Sequence, residues 1–364
     1  MNRRSGYVRG GMQPTLDPVV RPMLARLVRA LPHDGYLYEP KWDGFRCLAF
    51  RSGDEVDLRS RNHRPLARYF PEVVDALLAL RARSFVLDGE LLATRGGRFD
   101  FEALLARLHP AAARVERLRR ETPASFVAFD ALECDGEAML DRPFAWRRDS
   151  LEHLLADCRP PLYLTPLTDD YGLACRWLDA WDGPGIDGVM AKHRDLLYEP
   201  GRRRMIKVKR ERTADCVVAG CRWFADRPEV SSLLLGLHDG DVLRHVGVAS
   251  SFTSHRRREL LEAVRPRFTS LAGHPWERGF LLGGGSLGRL RGAATRWSAD
   301  EMELDWTPLV PELVCEVSYD QVDDHRLRHP ARFRRWRPDR DADSCHVAQL
   351  ELPPLDLGEV LSRS

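Results

Sequence analysis

Glu39-Pro40-Lys41-Trp42-Asp43-Gly44-Phe45-Arg46 is the stretch on which the reading of this 364-residue chain turns. It lies within residues 36–50, which read as a pair of strands bent at Asp43-Gly44. Its lysine is one of only four in the chain, Lys41, Lys192, Lys207 and Lys209, and the rest of the 56 basic residues are arginine. The other three also stand in strand-like segments, Ile186-Asp187-Gly188-Val189-Met190-Ala191-Lys192 and Met205-Ile206-Lys207-Val208-Lys209. Arginine stays protonated and presents a planar fork, whereas a lysine amine can lose its proton when buried and act as a nucleophile. Drift toward arginine with four survivors gives the same count. The company these lysines keep points instead to chemistry that arginine cannot do.

Length bounds the architecture to two domains with short tails, each large enough for its own core. A hydrophobic content of 43% and a charged content of 30% describe an ordinary globular chain. The net charge of +2 conceals uneven placement: arginines cluster at 202–204, at 256–258 and at 332, 334, 335 and 337. Such clusters suit a phosphate-bearing partner, and equally a solvated face. Eight scattered cysteines form no CxxC pair, so neither a zinc ribbon nor a redox motif is indicated. No secretory apolar region precedes them, and a reducing cytoplasm is the expected location. No apolar run approaches the ~18 residues of a membrane span, so no membrane partner is expected.

Along the chain, 68–83 has apolar residues at helical spacing, 84–93 reads as a strand, and 101–120 as a helical stretch broken by Pro110. A strand is expected at 125–132, amphipathic helices at 145–156 and 172–181, and a strand at 186–192. After Lys209 the texture changes to short strands, at 216–223, 232–237, 243–248 and 313–317, with one convincing helix at 255–264 capped by Ser254. The glycine-rich 283–292 reads as a flexible loop. Short strands with one helix and no βα alternation fit a small OB-type barrel. The fold class is therefore α+β. The expected divisions are a disordered tail at 1–17, domains at 18–210 and 211–352, and a C-terminal tail at 353–364.

A glycine loop ending in Gly-Lys-Ser/Thr is absent, so any nucleotide must be held by strand side chains. Here the motifs become specific. Residues 39–46 carry Lys-x-Asp-Gly-x-Arg. There follow, in order, Ser60-Arg61-Asn62, Asp88-Gly89-Glu90-Leu91, Phe129-Asp130, the segments ending in Lys192 and Lys209, and Arg337-Pro338-Asp339-Arg340. This series resembles the covalent nucleotidyltransferase superfamily of ATP-dependent DNA ligases, RNA ligases and capping enzymes. It looks most like small bacterial ATP-dependent DNA ligases and the ligase domain of end-joining ligases. The resemblance implies an adenylation domain of packed antiparallel sheets with helices, followed by an OB-fold domain.

It also implies roles. Lys41 would attack the α-phosphorus of ATP and carry AMP. Keeping that amine neutral at pH 7 from an ordinary pKa near 10.4 costs about 4.6 kcal/mol, so burial, neighbouring cations and a nearby metal are expected to lower it. Glu39, Arg46, Arg61, Glu90, Phe129, Lys192, Arg203, Lys207, Lys209, Arg337 and Asp339 would bind the nucleotide. Glu90 and Asp187 would hold Mg²⁺ or Mn²⁺, although glutamate is commoner where this chain has Asp187. Lys207 and Lys209, two apart on a strand, share a face and would aim at the phosphates; a lysine-guarded strand edge would look the same. Phe129 ends an apolar run that by itself reads as core, and the resemblance assigns it to stacking on adenine. The lysine usual at the end of the last motif is replaced by Arg340, which keeps a cation there. The partner implied is nicked double-stranded DNA, met by a monomer, with repair polymerase or end-joining factors supplied in trans. RNA ligation, guanylyl transfer, and nucleic-acid binding by a decayed site are the alternatives.

Overall fold

A computed structural model describes residues 16, 20–109, 111–181, 183, 185–277, 280–281, 287–288, 306–323, 325–351 and 355–362. The expected N-terminal tail lies outside the described residues, except that Leu16 donates its amide to the Glu133 carboxylate at 2.9 Å. Two compact units divide the chain, one ending at Arg210 and resuming at Leu352, the other Glu211–Glu351.

Two sheets build the first unit. Four strands lie in the order Leu24–Val28, Arg203–Val208, Ile186–His193, Tyr36–Trp42. A second sheet runs Glu55–Ser60, Phe45–Ser52, Ser84–Arg95, Ala124–Cys134, Glu137–Ala138. Tyr36–Trp42 and Phe45–Ser52 are thus not partners of each other; Asp43-Gly44 passes the chain from one sheet to the other. Only glycine fits at 44, because a Cβ there would stand 2.1 Å from the Leu91 carbonyl oxygen.

Alternation along Phe45–Ser52 sends Cys47 and Ala49 into one core with Leu58, Phe85, Leu87 and Leu91, and Leu48 and Phe50 into another with Val86 and Leu132. A sheet covered on both faces reads as nearly continuous apolar sequence, which is why Asp88 and Glu90 stand out in their strand. Helices Pro71–Leu78 and Phe144–Leu154 pack on this sheet, and Tyr171–Ala180 on the four-stranded one. The helical stretch at 101–120 is two helices, Phe101–Ala106 and Ala112–Glu121.

The second unit is a five-stranded antiparallel sheet ordered Val242–Ala249, Arg227–Asp239, Arg212–Phe224, Thr307–Tyr319, Arg332–Trp336. Its strands are longer than their sequence signals, since ladder pairing extends them through polar residues. The basic run at 332–336, legible only as charge, is an edge strand paired with Thr307–Tyr319. The helix Ser254–Val264 begins one residue earlier than expected, and its cap is Thr253, whose hydroxyl accepts from Arg256 N at 3.2 Å. Of the glycine-rich 283–292, only Leu287-Gly288 are described, paired with Phe280-Leu281.

The expected tail at 353–364 needs correction. Its described part returns to the first unit and forms a helix, Leu357–Ser362. Leu355, Leu357 and Val360 bury themselves in the cluster that holds Trp42, Phe129, Trp177 and Trp181. Among the described residues no helix is long and apolar enough to cross a membrane.

Candidate active site

A cavity of about 370 Å³ opens in the first unit, lined by Glu39, Lys41, Arg46, Arg61, Glu90, Phe129, Lys192, Arg203 and Lys207 along with Met23, Trp42 and Met190. The sheet pairing brings these distant residues together. Tyr36–Trp42 pairs with Ile186–His193, which pairs with Arg203–Val208, so Glu39 faces Met190 and Met190 faces Lys207. The cross-over at Asp43-Gly44 then sets Arg46 opposite Glu90 in the second sheet.

Lys41 does not stand free. Its ammonium is paired with the Asp187 carboxylate, which also takes Lys209 at 2.6 Å. Asp187 is 9% exposed. Gly188 lets the chain pass beneath it: its φ is +140°, and a Cβ would lie 2.1 Å from the Val208 carbonyl oxygen. Burial alone would push the Lys41 amine down, but Asp187, through charge and hydrogen bond, with Asp43 and Glu90 behind it, holds it above its ordinary value. This reverses the expected lowering, because the nearest charge to Lys41 is an anion. Burial likewise pushes Asp187 up, and Lys41 and Lys209 outweigh it, holding the carboxyl below its ordinary value. The lowered lysine is Lys207, through burial and then the charges of Lys41 and Lys209.

Glu90 is the second carboxylate of the cavity. It accepts the Gly44 amide at 3.2 Å, and burial, only partly offset by Arg46 and Lys41, pushes its carboxyl up to about 8. A half-buried carboxylate this short of compensating charge fits a cation. No group of three or more His, Cys, Asp or Glu among the described residues could hold a metal ion alone. Asp187 and Glu90 would thus supply two oxygen donors, with phosphate and water completing the shell of a hard cation.

Arg46 spends its fork on Asp88, Nε and Nη2 reaching the two carboxylate oxygens at 2.5 and 2.6 Å, and Asp88 accepts Tyr198 Oη at 2.6 Å. Nη1 is left for a ribose or phosphate contact. The Arg46 guanidinium also lies over the Phe129 ring, 4.4 Å from its centroid, and the Lys192 amine sits 4.8 Å from the same centroid. Phe129 is therefore both core and cavity wall. Adenine stacking there must share the ring with a cation.

Lys192 is buried, pairs with Glu39 at 2.8 Å and donates to the Phe129 carbonyl at 2.9 Å. Burial raises the Glu39 carboxyl against the pull of Lys192 and Arg148, and Glu39 Oε1 is buried without a hydrogen-bond partner. Arg203 lines the cavity, whereas Arg204 pairs with Glu199 at 2.6 Å.

Arg337 and Asp339 belong to the second unit. Arg337 reaches Asp339 at 2.9 Å and, through Nη1, Asp215 at 2.9 Å. The hydrogen bonds from Arg337 hold the Asp339 carboxyl down to about 2. Asp215, Tyr198 and Arg148 were missed by sequence reasoning and carried no local signal. Asp88 was legible as part of its motif, where the resemblance selected Glu90 in its place.

Comparison with known proteins agrees with this arrangement. Residues 22–209 match the family model "ATP dependent DNA ligase domain", and 226–340 match "ATP dependent DNA ligase C terminal region". DNA ligase C2 of Mycolicibacterium smegmatis is 47% identical over 344 residues, covering 94% of this chain and 96% of that protein. DNA ligase C of Mycobacterium tuberculosis is 45% identical over 348 residues, with the same coverage. A Lig E DNA ligase structure superposes with a TM-score of 0.53 at 19% identity, over 88% of this chain and 100% of that one. The class is that of nucleotidyltransferases with an adenylation domain followed by an OB-fold domain. Within it, the chain belongs to the ATP-dependent DNA ligase family.

Proposed function

We propose that this chain seals nicks with a 5′-phosphate and a 3′-hydroxyl in duplex DNA, in repair, by way of a lysyl-AMP. In the first step the neutral Lys41 amine attacks the α-phosphorus of ATP. A P–N bond forms, the bond to the bridging oxygen breaks, and pyrophosphate leaves. AMP then passes to the 5′-phosphate of the nick, and attack by the 3′-hydroxyl forms the phosphodiester and expels AMP.

The observation that carries this reading is the convergence of Lys41, Glu90 and Lys207 on one cavity, with Asp187 paired to Lys41. Because Asp187 holds the Lys41 proton, activation requires that this carboxylate be drawn to something else. Mg²⁺ or Mn²⁺ held by Asp187 and Glu90 would supply that competing charge. Lys207 and Lys209 are placed for the phosphates, where fixed cations stabilise charge growing on a leaving group. Glu39 Oε1, buried in the wall without a hydrogen bond and 3.9 Å from Arg148 Nη1, suits an N–H donor such as the adenine amine and disfavours a purine with a carbonyl there. Arg46 and Arg61 are read as ribose and phosphate contacts, and Arg337 and Asp339 as groups that orient pyrophosphate. A monomer acting in the cytoplasm, with repair polymerase or end-joining factors in trans, completes the proposal.

Incubation with α-labelled ATP, then GTP, followed by peptide mapping tests it. Label from ATP should appear on Lys41 and be lost in Lys41→Arg with the fold intact. Label on another lysine, or equal uptake from GTP, overturns the assignment.

A further inference from the structure

The second unit holds a buried arginine without a counter-charge. Arg222, near the end of strand Arg212–Phe224, is 9% exposed, and its Nε and Nη2 are both buried with no hydrogen-bond partner. Arginine cannot shed its proton, so a full positive charge is held there with two donors unused. Those two nitrogens form the side-on edge of the guanidinium, the edge that grips an oxyanion with two parallel bonds. Elsewhere in this chain the same edge is filled. Arg46 gives Nε and Nη2 to Asp88 at 2.5 and 2.6 Å, and the fully buried Arg147 gives them to Asp130 at 2.7 and 3.0 Å. At Arg222 no hydrogen-bond partner stands opposite among the described residues.

A second unused donor lies beside it. Ser232 is the direct cross-strand partner of Arg222, so the two side chains share a face of the sheet. Ser232 is 5% exposed, and its hydroxyl too is buried without a hydrogen-bond partner. The charged surroundings do not offset the guanidinium. His245 Nδ1 lies 3.2 Å from Arg326 Nη2. Burial first, then the charges of Arg326 and Arg222, hold the imidazole well below its ordinary value, so it is neutral at pH 7. No carboxylate among the described residues pairs with Arg222.

We propose that Arg222 and Ser232 form a phosphate site in the OB-fold unit, taking the group on the Nε–Nη2 edge and the serine hydroxyl. Three donors, two on the guanidinium edge and one hydroxyl, suit an oxyanion with three oxygens to offer better than a carboxylate with two. The phosphate is either a backbone phosphate of a DNA strand or free phosphate. Only the DNA form rests on the ligase reading.

The test compares the full-length wild type, Arg222→Leu and Ser232→Ala. Thermal unfolding is followed in inorganic phosphate against chloride at matched ionic strength, and nicked-duplex affinity is followed against salt. The wild-type midpoint should climb with phosphate; Arg222→Leu should abolish the climb, and Ser232→Ala should reduce it. If the DNA strand supplies the group, the slope of log affinity against log salt should also shrink by about 0.9 in Arg222→Leu, the value of one neutralised phosphate. Loss of the phosphate response with an unchanged slope identifies free phosphate. If Arg222→Leu does not fold, Arg222→Gln, which also removes the charge, takes its place in both measurements. Wild-type phosphate response and wild-type slope in the folded variants overturn the site. Transfer of label from ATP to Lys41, measured on the same samples, shows separately whether the ligase reading stands.

Discussion

Asp187→Asn is the most informative perturbation, because one carboxylate serves two lysines and a candidate metal. At an effective dielectric near 20, a pair of unit charges about 4 Å apart attracts by about 4 kcal/mol. The Asp187 side chain is 6% exposed and its partners Lys41 and Lys209 are 19% and 20% exposed, so desolvation offsets part of that attraction. Removing one member of a buried pair typically costs about 3–5 kcal/mol. Since both lysines reach water, the lower end applies, about 3 kcal/mol, or a fall of about 6–12 °C in Tm. The amide is nearly isosteric, so loss of charge is the cause.

Reactivity should split in two directions. With its counter-charge gone, Lys41 should titrate at lower pH, and an amine-acylating reagent should label it faster at pH 7–8. Self-adenylation should nevertheless fall by about 10²–10³-fold, the scale of losing one preorganised electrostatic group. In the wild type the sign runs as follows. Lys41 is held above its ordinary value, so its contribution to stability persists through neutral pH and is lost only as pH climbs above the lysine range. Asp187 is held below its ordinary value, so its contribution disappears on the acid side. Acylation against pH, thermal unfolding and label transfer from ATP are the three assays. Unchanged titration of Lys41 in Asp187→Asn refutes the clamp, and adenylation at the wild-type rate refutes any catalytic role for this carboxylate.

Glu90 gives a pH signature of opposite sense. Its carboxyl is raised from 4.5 to about 8 in the fold, so its contribution to stability declines as pH rises between those values and is level above them. The difference in Tm between wild type and Glu90→Gln should follow that curve, and Mn²⁺ affinity should rise with pH up to about 8; a flat difference from pH 5 to 9 contradicts it. Arg337→Ala should impair self-adenylation far more than sealing of a pre-adenylated nick, since pyrophosphate has left by then; equal losses would make the basic run a DNA-binding surface only. Ending the chain at residue 352 removes the buried Leu355, Leu357 and Val360, each worth about 1.5–3 kcal/mol at full burial, so Tm should fall markedly, whereas an unchanged Tm would make the helix dispensable.

The candidate site residues were legible because their chemistry is unusual for their place: a lysine among arginines, or an acid inside an apolar strand. Lys41, Glu90, Arg203 and Lys207 meet in one cavity as their motifs imply. What stayed hidden were partners set by tertiary contact alone. Tyr198 reaches Asp88 across 110 residues, and Arg337 reaches Asp215 across 122, separations that no local period encodes. The C-terminal helix was invisible for a related reason. A six-residue helix presents too few apolar positions to show a period, and only its docking on the tryptophan cluster makes it stable. The cap at Thr253 shows the limit of local rules, since Thr253 and Ser254 are both good caps and hydrogen-bond geometry chooses between them.

The identities of the four lysines now divide by physical cause. Lys41 must be able to lose its proton, which arginine cannot do. Lys209 shares Asp187 with Lys41, and a guanidinium gripping that carboxylate with two parallel bonds would hold it more firmly and compete with Lys41 for it. Lys192 fits as a compact point charge among Glu39, the Phe129 carbonyl and the Phe129 and Phe144 rings, where a planar fork would not. Lys207 alone of the four makes no ion pair among the described residues, and it lines the cavity. Four lysines thus face the two carboxylates Asp187 and Glu39, and the site carries an excess of positive charge. On the proposed mechanism a divalent cation held by Asp187 and Glu90 would compete for Asp187, while the phosphates of a nucleotide would compete for Lys209. Binding and activation of Lys41 would then be one event, with the nucleophile protonated until the substrate is in place.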